Sequence, residues 1–310
     1  MHNKSNLDIF ACELQVIIKI FKMKKVIITG SSSGFGLLSA KHFADNNYTV
    51  YATMRTSQKN EPIKKELEDY SSNIKVVSMD VSTDASVSKA IDTILDEAGD
   101  IDVLINNAGI MHMGIAEAFS IEQANDLMNV NYYGVIRTTQ AILPSMRKAG
   151  KGLIINTTSA YGRVFAPFAA TYGASKAAVE AYTQSLKYEL APTGIETILV
   201  EPGPFATNLA HSFSPEARTE IVAENSELQS IFNGMVQGFS TLMQSEDIPQ
   251  PSLVSEAYLK LAEMPQGSRP TRTTVGLPFG ADKVNELTQP IQDGSLQAYK
   301  MEYLLETKVK

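Results

Sequence analysis

The chain has 310 residues, of which 44% are apolar and 20% are charged, and its formal net charge is -7. These values are typical of a globular protein with one large or two small domains, and the acidic balance argues against nucleic acid as a partner. Cys12 is the only cysteine, which excludes an intrachain disulfide and a cysteine-built zinc site and is compatible with a reducing, cytoplasmic location. The four histidines have no metal-ligand spacing, so no metal site is predicted.

The first 23 residues are interpreted as an N-terminal extension that precedes the folded domain. Their longest apolar run, from Val16 to Phe21, is interrupted by Lys19 and is too short for the apolar core of a secretory signal. No run in the chain approaches the ~20 apolar residues that cross a bilayer. Met23, Lys24 and Lys25 directly precede the first predicted strand.

From Lys25 onward, predicted strands alternate with predicted helices. The strands are predicted at 26–29, 49–53, 74–79, 101–105, 152–157, 195–200 and 271–275. The helices are predicted at 35–46, 60–70, 84–98, 121–147 and 172–191. Apolar strands separated by helices are typical of a parallel sheet covered on both faces. The sequence therefore predicts one doubly wound α/β domain over residues 24–310, a Rossmann fold with about seven strands.

The stretch 204–250 breaks this alternation, because bulky apolar side chains there are scattered among polar ones. Two interpretations remain open. The stretch is either an ordinary amphipathic helix pair packed on the core, or a mobile lid over a substrate pocket.

A glycine-rich turn, TGSSSGFG from Thr29 to Gly36, joins the first strand to the first helix. Glycines in such a turn let the backbone approach a pyrophosphate, which the positive end of the helix then stabilises. The spacing is G-x-x-x-G-x-G, and the position after a strand and before a helix is the one such a site requires. The predicted cofactor contacts in this turn are Gly30, Ser32, Ser33, Gly34, Phe35 and Gly36.

The end of the second strand indicates which dinucleotide binds. An acidic residue there would bind the adenosine ribose hydroxyls, but this chain has Arg55 between Met54 and Thr56. A guanidinium suits a 2′-phosphate, and neighbouring hydroxyls can donate to it. We therefore expect NADP(H) in preference to NAD(H), with a plain surface charge as the alternative interpretation of Arg55.

Further polar turns follow the third, fourth and sixth strands, at the sheet edge where open α/β folds bind ligands. Asp80 could accept a hydrogen bond from an adenine amino group, and Ala108 and Gly109 leave room for a ribose. A helix cap or turn is the alternative for each. The cofactor contacts predicted in these turns are Asp80, Val81, Asn107, Ala108, Gly109, Pro202, Gly203 and Thr207.

Tyr172 and Lys176 are four residues apart, with Ser159 thirteen positions before the tyrosine. In a helix this spacing places both side chains on one face, one turn apart. A nearby ammonium favours the phenolate and lowers the phenol pKa from its usual value near ~10. The pair is therefore a candidate acid/base device, although a solvated helix face is an alternative. Asn131, in the long predicted helix, could hold water in the same site.

As a set, T-G-x-x-x-G-x-G, N-N-A-G, Asn131, Ser159, Y-x-x-x-K and P-G resemble the short-chain dehydrogenase/reductase family over residues 24 to about 207. The surroundings of Arg55 and the segment 269–275 are most similar to its hydroxysteroid- and retinol-dehydrogenase-like branch. The resemblance implies a catalytic tetrad of Asn131, Ser159, Tyr172 and Lys176.

The resemblance also implies a role for each residue in carbonyl reduction. Tyr172 would protonate the carbonyl oxygen while a hydride passes from the nicotinamide, and Ser159 would hydrogen-bond that oxygen. Lys176 would lower the tyrosine pKa and bind the nicotinamide ribose. Asn131 would hold a water that connects Lys176 to solvent, and Thr207 would contact the carboxamide.

Residues that follow the N-N-A-G turn, Ser159 and the P-G turn are candidates for a substrate pocket. Met111, Phe165, Phe168 and Phe205 form an apolar set that suggests a lipophilic carbonyl or secondary alcohol. Ordinary packing is the alternative for all four residues.

Two other function classes are alternatives for this sequence. One is a catalytically silent NADP(H)-binding redox sensor or scaffold, which the intact tetrad argues against. The other is a Rossmann-like methyltransferase, in which the Y-x-x-x-K set has no role.

The resemblance further implies a homodimer or homotetramer built on the long helices at 121–147 and 172–191. Light scattering at micromolar concentration tests this expectation, and a monomer would refute it.

Overall fold

The computed structural model describes residues 23–207, 215–245 and 248–307. Seven parallel strands form one sheet in the order β3-β2-β1-β4-β5-β6-β7. The strands are β1 (Lys25–Thr29), β2 (Thr49–Met54), β3 (Ile74–Ser78), β4 (Val103–Asn106), β5 (Gly152–Thr157), β6 (Ile195–Pro202) and β7 (Arg272–Val275). This confirms the predicted Rossmann-like α/β architecture. The strand order reverses between β1 and β4, which makes that crevice the switch point where such sheets bind ligands.

The described residues contain ten α-helices, nine between strands and one after β7. They are α1 (Gly34–Asp45), α2 (Glu61–Tyr70), α3 (Asp84–Ala98), α4 (Ile121–Met128), α5 (Gly134–Ala149), α6 (Ala170–Leu190), α7 (Thr219–Glu224), α8 (Ser226–Met243), α9 (Ser252–Glu263) and α10 (Ala281–Ala298). The helix predicted at 121–147 is divided by a π-helical turn at Asn129–Tyr133. Such turns widen the helix by one residue and are frequent at functional sites.

The sheet is covered on both faces because successive side chains of each strand point to opposite sides. On β1, Ile28 packs in a core cluster with Phe43 of α1 and Tyr258 of α9. Its neighbour Ile27 packs in the opposite cluster, which includes Ile91 of α3. This two-sided burial explains why the strands read as almost continuous apolar runs.

Part of the predicted extension, residues 1–22, lies outside the described residues. Of the stretch 204–250, the described part contains α7 and α8. Over 23–207, 215–245 and 248–307, no helix is both long enough and apolar enough to cross a membrane.

Candidate active site

The glycine-rich turn between β1 and α1 lies against the turn that follows β4. Gly30 has a φ of 71°, and a Cβ built on it would lie 2.8 Å from the Cα of Ala108. A Cβ on Gly36 would lie 2.3 Å from the carbonyl oxygen of Gly30. Both positions therefore require glycine, because the backbone segments touch each other there.

The N-terminus of α1 is open toward this turn. Ser33 is the N-cap residue, and its side chain makes no capping hydrogen bond to the first turn of the helix. The first N–H groups of a helix have no intrahelical partner and carry a partial positive charge, which suits a phosphate. A Cβ on Gly34 would lie 3.7 Å from the Cβ of Thr207, so Thr207 borders the same space. These backbone donors and glycines fit the pyrophosphate of a dinucleotide.

The turn after β4 is held to β1 by side-chain hydrogen bonds. The Thr29 hydroxyl accepts from the backbone N–H groups of Asn107 and Ala108, both at 2.9 Å. The side-chain amide of Asn107 donates to the carbonyl oxygens of Thr29 at 2.9 Å and Gly30 at 3.3 Å. The amide donors of Asn107 thus bind the protein backbone, and its contact with the cofactor stays a prediction. The adjacent Gly109 remains close to the site.

Asp80 and Val81, which follow β3, contact other residues of the protein: Asp80 binds Ser82 in the same turn, and Val81 packs against Gly134. One oxygen of Asp80 accepts from the Ser82 N–H at 2.9 Å and from the Ser82 hydroxyl at 2.7 Å. Burial by itself would raise the pKa of Asp80, but the Ser82 hydrogen bonds and the charges of Arg55 and Arg137 lower it below its usual value. Val81 packs against Gly134, where a Cβ would lie 3.1 Å from its side chain. Asp80 is thus an ionised carboxylate with one oxygen engaged in a turn.

A recess at the ends of β2 and β3 contains the arginine that indicated NADP(H). Lys64 of α2 also lines this recess and was missed from the sequence, because α2 packs against β3 only in the folded protein. Two cations therefore face one small space near the Gly-rich turn. The polar side chains that line the recess are those of Arg55, Thr56, Ser57, Asn60, Glu61, Lys64 and Ser78.

Tyr172 and Lys176 lie one turn apart on α6, as their spacing predicts, and both are only 5% exposed. The Lys176 Nζ lies 5.8 Å from the centre of the Tyr172 ring and donates to the carbonyl oxygen of Thr157 at 3.0 Å. Ser159 begins a short turn after β5, and its hydroxyl accepts from the Tyr161 N–H at 3.2 Å. The structure thus brings Ser159, Tyr172 and Lys176 together at the carboxyl edge of the sheet.

Burial shifts the pKa values of both Tyr172 and Lys176. It raises the pKa of Tyr172 to about 12, a hydrogen bond with Ser159 opposes the rise, and the neighbouring Tyr161 adds to it. Burial also lowers the pKa of Lys176 to about 8, against the opposing charge of Glu180. The expected net lowering of the phenol pKa is therefore not found, because burial outweighs the effect of the neighbouring groups.

Asn131 lies in the π-helical turn and is 1% exposed. Its side chain accepts from the Ile110 N–H at 2.8 Å and donates to the Ile110 carbonyl at 2.9 Å and to the Ser175 hydroxyl at 3.0 Å. A Cβ on Gly109 would lie 3.3 Å from the Asn131 oxygen and 3.6 Å from the Lys176 Nζ. Asn131 therefore ties the loop after β4 to α6, directly beside Lys176.

The four predicted substrate-pocket residues have different environments. Phe205 is 6% exposed and packs edge-on against Phe35 at 5.3 Å in a core cluster, and its part in a substrate pocket stays a prediction. Phe165 is 71% exposed, and Met111 is partly buried. Phe168 has a φ of 61°, and its ring contacts Phe232 of α8 at 5.3 Å. This contact places α8 over the loop that follows Ser159.

A buried charged cluster beneath the site was also missed from the sequence. Glu180 and Arg272 form an ion pair at 2.9 Å, with side chains 4% and 9% exposed. Glu201 of β6 lies 3.5 Å from the same guanidinium. The spacing of four between Lys176 and Glu180 could have indicated that Glu180 shares the catalytic face, but nothing in the sequence pairs it with Arg272.

The sequence pattern of the short chain dehydrogenase family matches residues 24–218, which is more than half of the chain. The chain belongs to the short-chain dehydrogenase family. The parallel seven-stranded sheet and the helices on its two faces agree with this assignment.

Two relatives of this short-chain dehydrogenase have described activities. A 3-ketodihydrosphingosine reductase of Bacteroides thetaiotaomicron is 40% identical over 182 residues, which are 59% of this chain and 64% of the relative. The mitochondrial D-beta-hydroxybutyrate dehydrogenase of Mus musculus is 36% identical over 208 residues, 65% of this chain and 59% of the relative. The matched region thus spans less than two thirds of each relative's length.

Solved short-chain dehydrogenase structures show the same fold. One from Streptomyces avermitilis has a TM-score of 0.70 at 27% identity, covering 90% of this chain and 97% of its own. A 3-ketoacyl-(acyl-carrier-protein) reductase from Brucella melitensis, complexed with NADH, has a TM-score of 0.66 at 28% identity, covering 82% and 96%. An alcohol dehydrogenase from Thermococcus sibiricus, complexed with 5-hydroxy-NADP, has a TM-score of 0.66 at 25% identity, covering 82% and 97%.

Proposed function

We propose that this protein is an NADP(H)-dependent reductase or dehydrogenase in which Tyr172 is the general acid/base. The observation that carries the proposal is the burial of Tyr172 and Lys176 beside the partly buried Ser159 at the carboxyl edge of the sheet. A phenol with a raised pKa stays protonated at neutral pH and can donate its proton to a developing alkoxide. A buried redox sensor has no need of that arrangement.

Each residue of the tetrad has a task in this proposal. Tyr172 donates the proton, and the Ser159 hydroxyl stabilises the negative charge that develops on the carbonyl oxygen. Lys176 remains positively charged below its pKa of about 8, so it favours an anion on the phenol oxygen and is placed to bind a ribose. Asn131 holds the backbone at Ile110 beside Lys176. When bound, the nicotinamide supplies or accepts the hydride.

The preference for NADP(H) rests on the recess at the end of β2. Arg55 and Lys64 both line it, together with several hydroxyl groups and one carboxylate, that of Glu61, so the cations outnumber the anion. A 2′-phosphate carries negative charge and accepts several hydrogen bonds, and a guanidinium can bind it with two N–H groups at once. An NAD(H) ribose offers no group that would satisfy both cations.

Arg55→Ala is expected to weaken NADPH binding by about 10- to 100-fold, since charge-assisted hydrogen bonds contribute about 1.5–3 kcal/mol. Lys64→Ala should weaken it less, because an ammonium binds a phosphate at a single point. NADH binding should change little in either variant. The two dissociation constants can be measured by nicotinamide fluorescence. Lys65→Ala is the matched control, because Lys65 lies next to Lys64 on α2 but is exposed and does not line the recess.

An unchanged NADPH affinity in the variant lacking both cations, Arg55→Ala with Lys64→Ala, would remove this recess from the cofactor site. Equal losses for NADPH and NADH would instead indicate a general disturbance of the β2 end.

The substrate we propose is a lipophilic ketone or secondary alcohol. Phe168 and Phe232 form an apolar contact next to the Ser159 loop, and Met111 follows the β4 turn. The likeness to a 3-ketodihydrosphingosine reductase agrees with a long-chain keto substrate. A panel of ketones of increasing chain length, followed at the NADPH absorbance, tests this. Thermal protection by NADPH without turnover of any ketone would favour the silent sensor.

A further inference from the structure

Helix α6 makes side-chain hydrogen bonds to Thr157, the last residue of β5, and to Thr158, which directly precedes Ser159. The Lys176 Nζ donates to the Thr157 carbonyl at 3.0 Å. The Thr158 hydroxyl donates to Oε1 of Glu180 at 2.6 Å. Lys176 and Glu180 are one helical turn apart, so the two contacts fall on one face of α6 and on adjacent residues of the strand. The next residue along the chain is Ser159.

The carboxylate of Glu180 is held in one orientation. It is 3% exposed, and its second oxygen accepts from the Nε of Arg272 at 2.9 Å. The turn after Ser159 packs on the same side chain, because a Cβ on Gly162 would lie 3.3 Å from the Glu180 Cγ. Both oxygens are thus engaged, one on the strand before Ser159 and one on β7.

The same carboxylate acts electrostatically on Lys176. Burial lowers the pKa of Lys176 to about 8, and the charge of Glu180 is the influence that opposes this fall. Without that charge, the ammonium would lose its proton at a lower pH. The other titratable or charged groups that face this cluster are Tyr172 on α6, Tyr161 in the turn after β5, Glu201 on β6 and Arg272 on β7.

We propose that Glu180 is a positioning residue of the active site, which sets the strand end before Ser159 and sustains the positive charge on Lys176. This inference rests on the proposed function, because it assigns a role within that site. Glu180 has no direct part in proton transfer. It acts through Thr158 on the backbone of Ser159, and through its charge on Lys176.

Glu180→Gln, in the full-length protein, should keep a similar shape but lose the negative charge. We expect a fall in kcat of about tenfold at pH 8 and a much smaller fall at pH 6, where Lys176 stays protonated. The alkaline limb of the kcat profile should move down by about one pH unit. Glu196→Gln is the matched control, because Glu196 is likewise a buried glutamate paired with an arginine, Arg269, but it touches none of the site residues. Its kcat and pH profile should match those of the wild type.

Thr158→Val separates the two effects, because it removes the hydrogen bond to Glu180 and leaves the charge in place. We expect a several-fold lower kcat with an unmoved alkaline limb. This variant also decides the issue if Glu180→Gln does not fold, since a wild-type kcat in Thr158→Val would then overturn the positioning role.

The outcome for Glu180 can be distinguished from that for the proposed function. Wild-type turnover of a ketone that is lost in Tyr172→Phe supports the function by itself. If that turnover is measured, a folded Glu180→Gln enzyme with wild-type kcat and an unmoved alkaline limb of its kcat profile would overturn the inference about Glu180 alone. No wild-type turnover on any carbonyl would overturn both.

Discussion

Tyr172→Phe is expected to lower kcat by about a thousandfold, the middle of the range for loss of a general acid. The substitution removes one oxygen and keeps the ring, which packs edge-on against Tyr161 at 6.5 Å. Because Lys176 and the Gly-rich turn are untouched, the NADPH dissociation constant should stay within about threefold of the wild-type value. Steady-state turnover at the NADPH absorbance and nicotinamide fluorescence measure the two quantities.

Tyr182→Phe is the matched control for this prediction. Tyr182 lies on the same helix and loses the same atom, but its ring packs on Tyr132, away from Ser159. Its kcat should equal that of the wild type. A Tyr172→Phe enzyme with more than a tenth of wild-type kcat would contradict the role of Tyr172 as general acid.

Arg272→Met is expected to lower the free energy of unfolding by about 3–5 kcal/mol, the range found when one partner of a buried ion pair is removed. The guanidinium donates to Glu180 at 2.9 Å, to Gln184 at 2.9 Å and to Gln289 at 2.8 Å. Methionine fills much of the volume but leaves the Glu180 carboxylate without its cation. Urea denaturation at pH 7 measures the loss, and a change below about 1 kcal/mol would contradict it.

Glu201→Gln is expected to raise the free energy of unfolding at alkaline pH relative to the wild type. Burial raises the pKa of Glu201 to about 8 from a usual value of 4.5, with the charge of Glu180 adding to the rise, and Asn285, Arg272 and Arg163 opposing it. Between pH 5 and 8 the folded protein therefore binds more protons than the unfolded chain, so this group makes stability fall as pH rises.

Glutamine cannot ionise, so Glu201→Gln removes that slope. The stability of the variant relative to the wild type should increase by roughly 4 kcal/mol between pH 5 and pH 8.5. Urea denaturation of both proteins at these two pH values measures the change. Parallel stability curves would show that Glu201 keeps an ordinary pKa in the folded protein.

Local sequence patterns were sufficient for much of this protein. Strand and helix positions follow from apolar periodicity, and the seven strands and the helices up to residue 190 lie within a few residues of the predicted ones. The helices α7 to α10 had no predicted bounds. The glycines of the first turn and the Tyr172–Lys176 spacing were readable for the same reason. Each depends on residues close together in the chain, whose geometry the backbone itself dictates.

Other features depend on residues far apart in the chain, and the tertiary structure decides them. Phe205 resembled a pocket residue but packs on Phe35 in the core, because the end of β6 lies against α1. The Asn107 amide is engaged by β1, which is its neighbour only in the sheet. Lys64 reaches the recess of Arg55 only once α2 packs against β3.

The sequence by itself determined the fold class, the position of the glycine-rich turn and the placement of Tyr172 and Lys176 on one helix face, because periodicity and short spacings encode them. Only the tertiary structure decided the surroundings of that pair. Burial raises the pKa of Tyr172 and lowers that of Lys176, whereas spacing alone predicted a lowered phenol pKa. The burial of the pair arises when α6 packs on the sheet. The same packing brings Glu180 to Arg272, 92 residues away, so no local pattern contains either feature.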